Sequence, residues 1–305
     1  MIVYFAGGIS GNCKPMFREM LTALYGGNMD LYLAGTQGRR WVMDVYIAGL
    51  QGKVKGGIMD LYLAGTGTGL WNYVGDEVAK CDVAILESFY YADEWTEKTI
   101  PLLSHFMLDS GAFTFMSNTK TAVNFDEYLQ RYINFIKKNK VKQFFELDVD
   151  VVTGYNKVKE MTKRLEQGVG ARCIPVWHKS RGIDEWHRMT EEYDYVAIGG
   201  IVSKEIKPAD YKYFTPLLEI ARKNNCKVHG LGFTNLDGMT KYPFYSVDST
   251  AWTTGNRFGM AYRFNGKTME KVSKQEGQRA PKPRELAIHN FNEWVKFQRY
   301  ARTHL

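Results

Sequence analysis

The stretch Tyr195-Val-Ala-Ile-Gly-Gly-Ile201 is a short apolar run that ends in two glycines. From about residue 80 onward, similar runs end in glycine or polar residues and are separated by amphipathic stretches. This alternation is typical of parallel strands joined by helices. The predicted strands are Ile2–Ala6, Val83–Leu86, Phe106–Leu108, Gln143–Asp148, Arg172–Trp177, Tyr195–Gly199, Lys227–Gly230 and Tyr245–Asp248. Eight strands in this order predict an α/β fold, a parallel (β/α)8 barrel of the TIM type.

The clearest predicted helix begins after Asn124, because Asn124 and Glu127 have the spacing of a helix cap. Apolar residues then recur at helical intervals on one face. Further amphipathic segments predict helices at 155–167, 183–193, 208–224 and 282–302. We expect one domain over residues 1–305, because no linker rich in serine or proline interrupts the pattern.

Composition narrows the class of protein. Of the 305 residues, 45% are hydrophobic and 24% are charged, which excludes a wholly disordered chain. The sequence has neither a secretory signal nor an apolar run of the roughly 18 residues that a membrane span needs, so we expect a cytoplasmic protein without a membrane partner. The four cysteines lie far apart with no CxxC motif, which predicts neither a disulfide framework nor a zinc subdomain. The net charge of +7 suits a polyanionic partner, although it also serves solubility alone.

A short motif is repeated near the N-terminus. Its copies begin at Met1, Met29, Met43 and Met59, and each is a β-prone run that ends in Ala-Gly. The unequal spacing argues against a solenoid. We interpret the first copy as a barrel strand and residues 28–70 as a repeat-containing insertion of short strands. A glycine-rich phosphate loop is the alternative, although no GxxxxGK[ST] motif is present.

Three aspartates follow predicted strands: Asp109, Asp148 and Asp248. The carboxyl ends of barrel strands meet on one face, so we expect these side chains to lie round one pocket. Neighbouring carboxylates can divide the roles of nucleophile and acid, because each shifts the pKa of the other. The alternative is that each Asp caps the helix after it.

Other residues at the strand ends suggest a ligand pocket. Gly199 and Gly200 would let a ligand approach the backbone, or would form a tight turn. Phe113 and His229 could sandwich a flat ring, or could serve packing alone. A metal-dependent hydrolase with a metal near His178 is a further alternative, but no HxH or HExxH motif occurs, so no metal and no cofactor are expected.

The motifs together resemble the tRNA-guanine transglycosylase superfamily. Asp109-Ser-Gly-Ala-Phe113 is similar to its DSGGF/Y segment, and Tyr195–Ile201 with Glu205 is similar to its AVGGLxxGE segment. His229-Gly-Leu-Gly232 and Asp248 match later strand ends, so that the likeness spans about residues 83–250. The family's CxCxxC zinc site is missing after Asp248, which resembles the phage branch, the DpdA-type 7-deazaguanine DNA transglycosylases.

The resemblance implies an enzyme, a pentosyltransferase that exchanges guanine in phage DNA for a 7-deazaguanine base of the preQ0 type. Asp248 would form a covalent glycosyl intermediate, and Asp109 would act as acid and base. Trp177 stands where the family has a base-reading Gln. The predicted substrate-binding residues are Ser110, Phe113, Asp148, Trp177, His178, Gly199, Gly200, Ile201, His229 and Gly230.

The implied partner is DNA, with tRNA as the alternative. The target base must leave the duplex to reach a pocket, and basic side chains would hold the phosphates. The predicted nucleic-acid contacts are Lys179, Arg181, Trp252, Arg257 and Arg263. Two other functions stay open at this point: a zinc-free transglycosylase that acts on tRNA, and a nucleic-acid-binding barrel without catalysis.

Overall fold

The computed structural model describes residues 2–6, 30–34, 59–65, 82–112, 114, 123–272 and 282–305, with the backbone alone at 2–6, 30–34, 254 and 256–258. The chain divides into two compact units, Met1–Lys55 and Gly56–Leu305. In the first unit, β1 (Ile2–Ala6) pairs in parallel with β2 (Asp30–Ala34), Ile2 opposite Asp30. Among the residues described, no helix is both long and apolar enough to cross a bilayer.

The second unit contains a curled, wholly parallel sheet of seven strands. The strands are β3 (Asp60–Ala64), β4 (Ala84–Ser88), β5 (His105–Asp109), β6 (Val176–Trp177), β7 (Tyr195–Ile198), β8 (Lys227–Gly230) and β9 (Ser246–Ser249). Their order is β5-β4-β3-β9-β8-β7-β6. Parallel bridges Leu108–Phe144 and Phe145–Ile174 link the two ends of this order through the predicted strand at 143–148. The predicted parallel α/β architecture is therefore confirmed.

The strand beside β4 and β9 differs from the prediction. It is β3, from the repeat copy that begins at Met59, and this copy was assigned to the 28–70 insertion. The predicted barrel strand Ile2–Ala6 instead pairs with β2 in the first unit. The prediction was wrong because β2 and β3 share the pentapeptide Asp-Leu-Tyr-Leu-Ala, so local sequence cannot show which copy joins the large sheet.

Helices follow most strands, as the amphipathic stretches predict. They are α1 (Glu94–Thr99), α2 (Phe125–Asn139), α3 (Asp150–Thr153), α4 (Tyr155–Val169), α5 (Gly182–Glu192), α6 (Phe214–Lys223), α7 (Leu236–Lys241), α8 (Ala251–Phe258) and α9 (Pro283–His304). Single 3-10 turns cover 89–91, 100–102 and 179–181, and a longer 3-10 segment covers 208–213. The antiparallel pair β10 (Ala261–Phe264) and β11 (Met269–Val272) precedes α9.

Helix α2 shows how sequence sets an element. The side chain of Asn124 accepts a hydrogen bond from the Glu127 N–H at 3.2 Å, which satisfies a free donor of the first turn. The helix ends at Asn139, and the next residue, Lys140, adopts a left-handed conformation with a φ of 52°. Its buried face consists of Tyr128, Leu129, Tyr132, Ile133 and Ile136.

The interior of the curled sheet is filled by side chains from successive strands. One buried cluster contains Tyr62 and Ala64 from β3, Ala84 and Leu86 from β4, Met107, Phe145, Ile174, Val176 and Ala197. Alternate residues of the same strands face the helices instead, because successive side chains of a strand point to opposite sides. This is the layered filling that parallel barrels show.

Helix α9 is joined by hydrogen bonds and an ion pair to the amino ends of two strands. The Gln298 amide accepts a hydrogen bond from Ala84 N at 3.1 Å and donates to the Ala84 carbonyl at 2.9 Å and to the Leu61 carbonyl. Arg302 Nε lies 2.7 Å from Asp60 Oδ1. The carboxyl-terminal part of α9 therefore packs at the end of the sheet opposite to the ends where the predicted site residues lie.

Candidate active site at the carboxyl ends of the strands

A cavity of about 800 Å³ opens at the carboxyl ends of the strands. Asp109, Asp148 and Asp248 all line it, together with Gly199, Gly200 and Ile201. Its remaining wall includes Glu87, Tyr91, His178, Gly232 and Asn235. The cavity has the size of a small-molecule site, so the strand ends bring the three predicted carboxylates to one ligand-sized space.

Asp109 is the last residue of β5. Its Oδ2 atom accepts a hydrogen bond from Gly111 N at 2.9 Å. Gly111 has a φ of +81°, and a Cβ atom built there would lie 2.6 Å from the Cβ atom of Tyr90. Burial raises the pKa of Asp109 to about 6, with the Gly111 hydrogen bond opposing and the charges of Asp248 and Asp148 adding to the rise. Asp109 can therefore hold or release a proton near neutral pH.

Asp248 lies on β9 with 6% of its surface exposed. Its Oδ1 atom accepts a hydrogen bond from Gly232 N at 2.6 Å and lies 3.3 Å from Nε2 of His229. The fully buried His229 ring packs against Tyr62 and Phe145, and its Nδ1 atom hydrogen-bonds the Ser246 hydroxyl. His229 therefore orients Asp248. The predicted ring sandwich required His229 to contact the ligand, and the structure does not place it there.

Asp148 is held by two basic side chains. Its Oδ2 atom lies 2.7 Å from Nε2 of His178, and its Oδ1 atom lies 3.1 Å from Nη2 of Arg181. The other ring nitrogen of His178 lies 2.9 Å from Oε2 of Glu205, whose Oε1 atom accepts a hydrogen bond from Ser180 N at 2.7 Å. These contacts fix the Asp148 carboxylate at the cavity wall.

Arg181 was predicted to contact nucleic-acid phosphate, and the structure corrects this. Only 3% of its side chain is exposed, and it pairs with Glu146, Asp148 and Asp150 at 3.0 to 3.1 Å. The Tyr155 ring lies 4.2 Å from its guanidinium carbon. A guanidinium enclosed by three carboxylates has no donor to offer a phosphate at the surface.

Asp148, Asp150 and His178 each place a potential ligand atom within 4.8 Å of the others. Such spacing could hold a metal ion, as the hydrolase alternative requires. However, these atoms already bind one another and Arg181. The donor set therefore suits an ion-pair network better than a cation site.

Two tryptophans also differ from their predicted roles. Trp177 lies outside the set of described residues that line the cavity; it packs on Trp186 and donates from its indole to the Gly182 carbonyl. Trp252, predicted to stack on a base, is 1% exposed and donates to the Ala64 carbonyl at 2.8 Å. Strand alternation explains Trp177: Val176 faces the sheet interior, so Trp177 faces the helices and His178 reaches the cavity.

The remaining predicted residues fall into three groups. Ser110 and Gly230 are buried and lie outside the described cavity lining, Ser110 with its carbonyl bound by the Tyr128 hydroxyl at 2.7 Å. Lys179 and Arg263 are exposed and pair with Asp210 and Glu270. Phe113 and the side chain of Arg257 lie outside the described residues.

The sequence interpretation overlooked Glu87 and Tyr91. Glu87 is 1% exposed, and Tyr91, at the cavity rim, is 45% exposed. A carboxylate directly after the apolar run Val83-Ala-Ile-Leu86 was the signal for Glu87. Burying an acidic side chain costs free energy, so a buried acidic residue in a strand often belongs to a functional site.

Comparisons with known proteins leave the family open. No family model and no curated protein matches the chain. Among solved structures, it is similar to a putative fructose-1,6-biphosphate aldolase from Coccidioides immitis, with a TM-score of 0.49 and 11% sequence identity. That match covers 81% of this chain and 91% of the aldolase.

Proposed function

We propose that the second unit is a (β/α)8 barrel enzyme that exchanges guanine in DNA for a 7-deazaguanine base through a covalent intermediate on Asp248. One observation carries the proposal. Asp109 and Asp248 line the same cavity, where burial raises the pKa of Asp109 to about 6 and the negative charge of Asp248 adds to the rise. A carboxyl group that can hold a proton near neutral pH, beside a second carboxylate at the same cavity, suits the roles of proton carrier and nucleophile.

The reaction follows from these two roles. A carboxylate oxygen of Asp248 forms a bond to C1′ of the deoxyribose as the bond from C1′ to the guanine nitrogen breaks. The departing nitrogen keeps the electron pair and takes the proton of Asp109. The incoming base then gives its ring N–H proton to Asp109 as its nitrogen attacks C1′ and displaces Asp248. Bonds, electrons and protons balance without a cofactor.

Recognition of the base falls to the rest of the cavity wall. The carboxylate of Asp148 would accept hydrogen bonds from the pyrimidine edge, and the backbone at Gly199, Gly200 and Ile201 would complete the contact. The target base has to leave the DNA stack to reach this depth. The net charge of +7 and the exposed Lys179 and Arg263 support attraction to a polyanion.

The test is a base-exchange assay in which labelled 7-deazaguanine is offered with duplex DNA or with tRNA. We expect label to enter DNA, and denaturing electrophoresis to show a covalent protein–DNA adduct. Asp248→Asn should abolish both, while the exposed Asp237→Asn on α7 should change neither.

Each alternative predicts a different result. Label that enters tRNA alone supports the zinc-free tRNA enzyme. A wild type that binds DNA as tightly as Asp248→Asn, without exchange or adduct, supports a binding barrel and contradicts the enzyme proposal.

A further inference from the structure

The imidazole of His178 is enclosed between two carboxylates. Nε2 lies 2.7 Å from Asp148 and Nδ1 lies 2.9 Å from Glu205, and 10% of the side chain is exposed. An ionised carboxylate can only accept hydrogen bonds, so each ring nitrogen has to donate. This requires the doubly protonated imidazolium form, for which charge-assisted hydrogen bonds on both sides are the natural partners.

The charges packed round His178 favour that form. Burial lowers the pKa of His178, but Asp148 and Glu205 outweigh burial and the nearby Arg181, and the pKa rises to about 9. Glu146 and Asp150 in turn bind Arg181. Within the described residues, this network joins two cations to four carboxylates, so His178 stays charged at neutral pH.

The glycine at the end of β7 makes room for this arrangement. A Cβ atom built on Gly199 would lie 2.8 Å from Cε1 and 3.0 Å from Nε2 of His178. Cγ1 of Val176 would also lie 2.8 Å away, so Gly199 leaves room for both Val176 and His178, the latter in the position that reaches Asp148. The His178 ring is thus held between the Gly199 backbone on one side and the Glu205 carboxylate on the other.

Both nitrogens of His178 are therefore committed to protein atoms. His178 has no free donor or acceptor for a ligand, although it lines the cavity. Asp148, in contrast, receives one cationic donor at each oxygen. Each carboxylate oxygen has two lone-pair directions, so Asp148 keeps acceptor capacity in a fixed orientation.

We propose that His178 is a positioning residue which, braced by Glu205, presents Asp148 to the cavity as an ionised acceptor for a heterocycle with two neighbouring N–H donors. A guanine-type base has such an edge in its ring N–H and its amino group. The proposal rests on the proposed function for the identity of that base. It concerns binding, and so it is tested without base exchange.

The test compares binding of two probes by calorimetry. 7-Deazaguanine carries the amino group, and 7-deazahypoxanthine lacks it. The wild type should prefer 7-deazaguanine at least tenfold. His178→Gln should weaken binding of 7-deazaguanine at least tenfold and reduce the preference, because a neutral amide cannot bridge both carboxylates. Glu205→Gln should have the same effect in weaker form.

His187→Gln is the matched control, because His187 is exposed on α5. It should leave both dissociation constants unchanged. A structural role for His178 would lower affinity for the two probes equally, so the ratio between them distinguishes positioning from packing. Ring-nitrogen NMR should also show His178 doubly protonated at pH 7.5.

The proposal is overturned if folded His178→Gln keeps the wild-type affinity and preference, or if the wild type binds neither probe. If His178→Gln does not fold, the same readings on Glu205→Gln decide. A wild type with the His178-dependent preference but without exchange would refute the proposed function and leave the positioning role standing. Base exchange together with a probe preference that does not depend on His178 would support the proposed function and refute the positioning role.

Discussion

Glu205 and Gly200 are packed so closely that a Cβ atom built on Gly200 would lie 2.8 Å from Oε2 of Glu205. Gly200 has a φ of +82°, and its carbonyl accepts a hydrogen bond from Ile206 N at 2.9 Å. The second glycine of the motif therefore accommodates the carboxylate that holds His178, besides facing the cavity itself.

This contact predicts the effect of Gly200→Ala. The left-handed backbone costs alanine about 1–2 kcal/mol, and the overpacked contact adds about 1–3 kcal/mol. Gly170→Ala is the control, since Gly170 is left-handed, with a φ of 80° and a ψ of 23°, and has nothing within 4 Å of a built Cβ. Urea unfolding should show a larger loss for Gly200→Ala. Equal losses would mean that the Glu205 contact relaxes without cost.

Asp109 predicts a pH dependence of stability. Its folded pKa of about 6 exceeds the ordinary value of 3.8, so the folded state binds the proton more tightly than the unfolded state. Asp109 therefore destabilises the fold progressively as the pH rises from about 4 to about 6, and the loss is complete above that range.

Asp109→Asn should remove this dependence. The free energy of unfolding of Asp109→Asn should exceed that of the wild type by up to about 3 kcal/mol at pH 7 and should equal it at pH 3. Urea unfolding across that pH range measures the difference. Asp184→Asn, at an exposed position of α5, is the control. A difference between Asp109→Asn and wild type that is flat from pH 3 to 8 would contradict the raised pKa.

Arg181 predicts the cost of removing a buried cation. Arg181→Met leaves Glu146, Asp148 and Asp150 without their shared partner, and it should cost about 3–5 kcal/mol of unfolding free energy. Arg188→Met on the same helix region is the matched control. The Arg188 side chain is 46% exposed in its pairs with Glu185 and Glu192, so it should cost no more than about 1 kcal/mol.

The salt dependence of DNA binding separates this role from the one first predicted. If Arg181 contacted phosphate, Arg181→Met would lower the slope of affinity against salt concentration by about one. The buried geometry predicts an unchanged slope for protein that remains folded.

Gln298 predicts a loss of stability without a loss of binding. Gln298→Ala removes three buried hydrogen bonds, to the N–H and carbonyl of Ala84 and to the Leu61 carbonyl, which should cost about 1–3 kcal/mol of unfolding free energy. Affinity for 7-deazaguanine should stay within twofold, because the amide lies at the opposite end of the strands. Gln130→Ala, exposed on α2, should change neither thermal midpoint nor affinity.

The sequence predicts the parallel sheet well, because each apolar run specifies its strand locally. Lys227–Gly230 is reproduced residue for residue, and the Asn124 cap begins its helix as expected. Two predicted strands are shorter than expected, since 143–148 forms only isolated bridges and 172–177 only the pair Val176–Trp177. The strand β3 is the larger exception. Its pentapeptide also occurs in β2, and the partners that distinguish the two copies are β4 and β9, far away in the chain.

The candidate site is only half predictable. Strand ends indicate Asp109, Asp148 and Asp248 because topology brings them together. The pairing of His178 with Glu205, or of Arg181 with Glu146, depends on loops whose conformations no short pattern encodes. Arg181 therefore reads as a surface cation in sequence and becomes a buried one in the fold.

The hydrogen bonds between helix α9 and the strands β3 and β4 have a consequence for synthesis on the ribosome. Gln298 reaches Ala84 across 214 residues and Leu61 across 237. In the growing chain, these backbone groups of Ala84 and Leu61 therefore lack their Gln298 partner until residue 298 has emerged. Assembly of this part of the sheet is completed late, and nascent chains halted before that residue should be open to proteolysis and to chaperones.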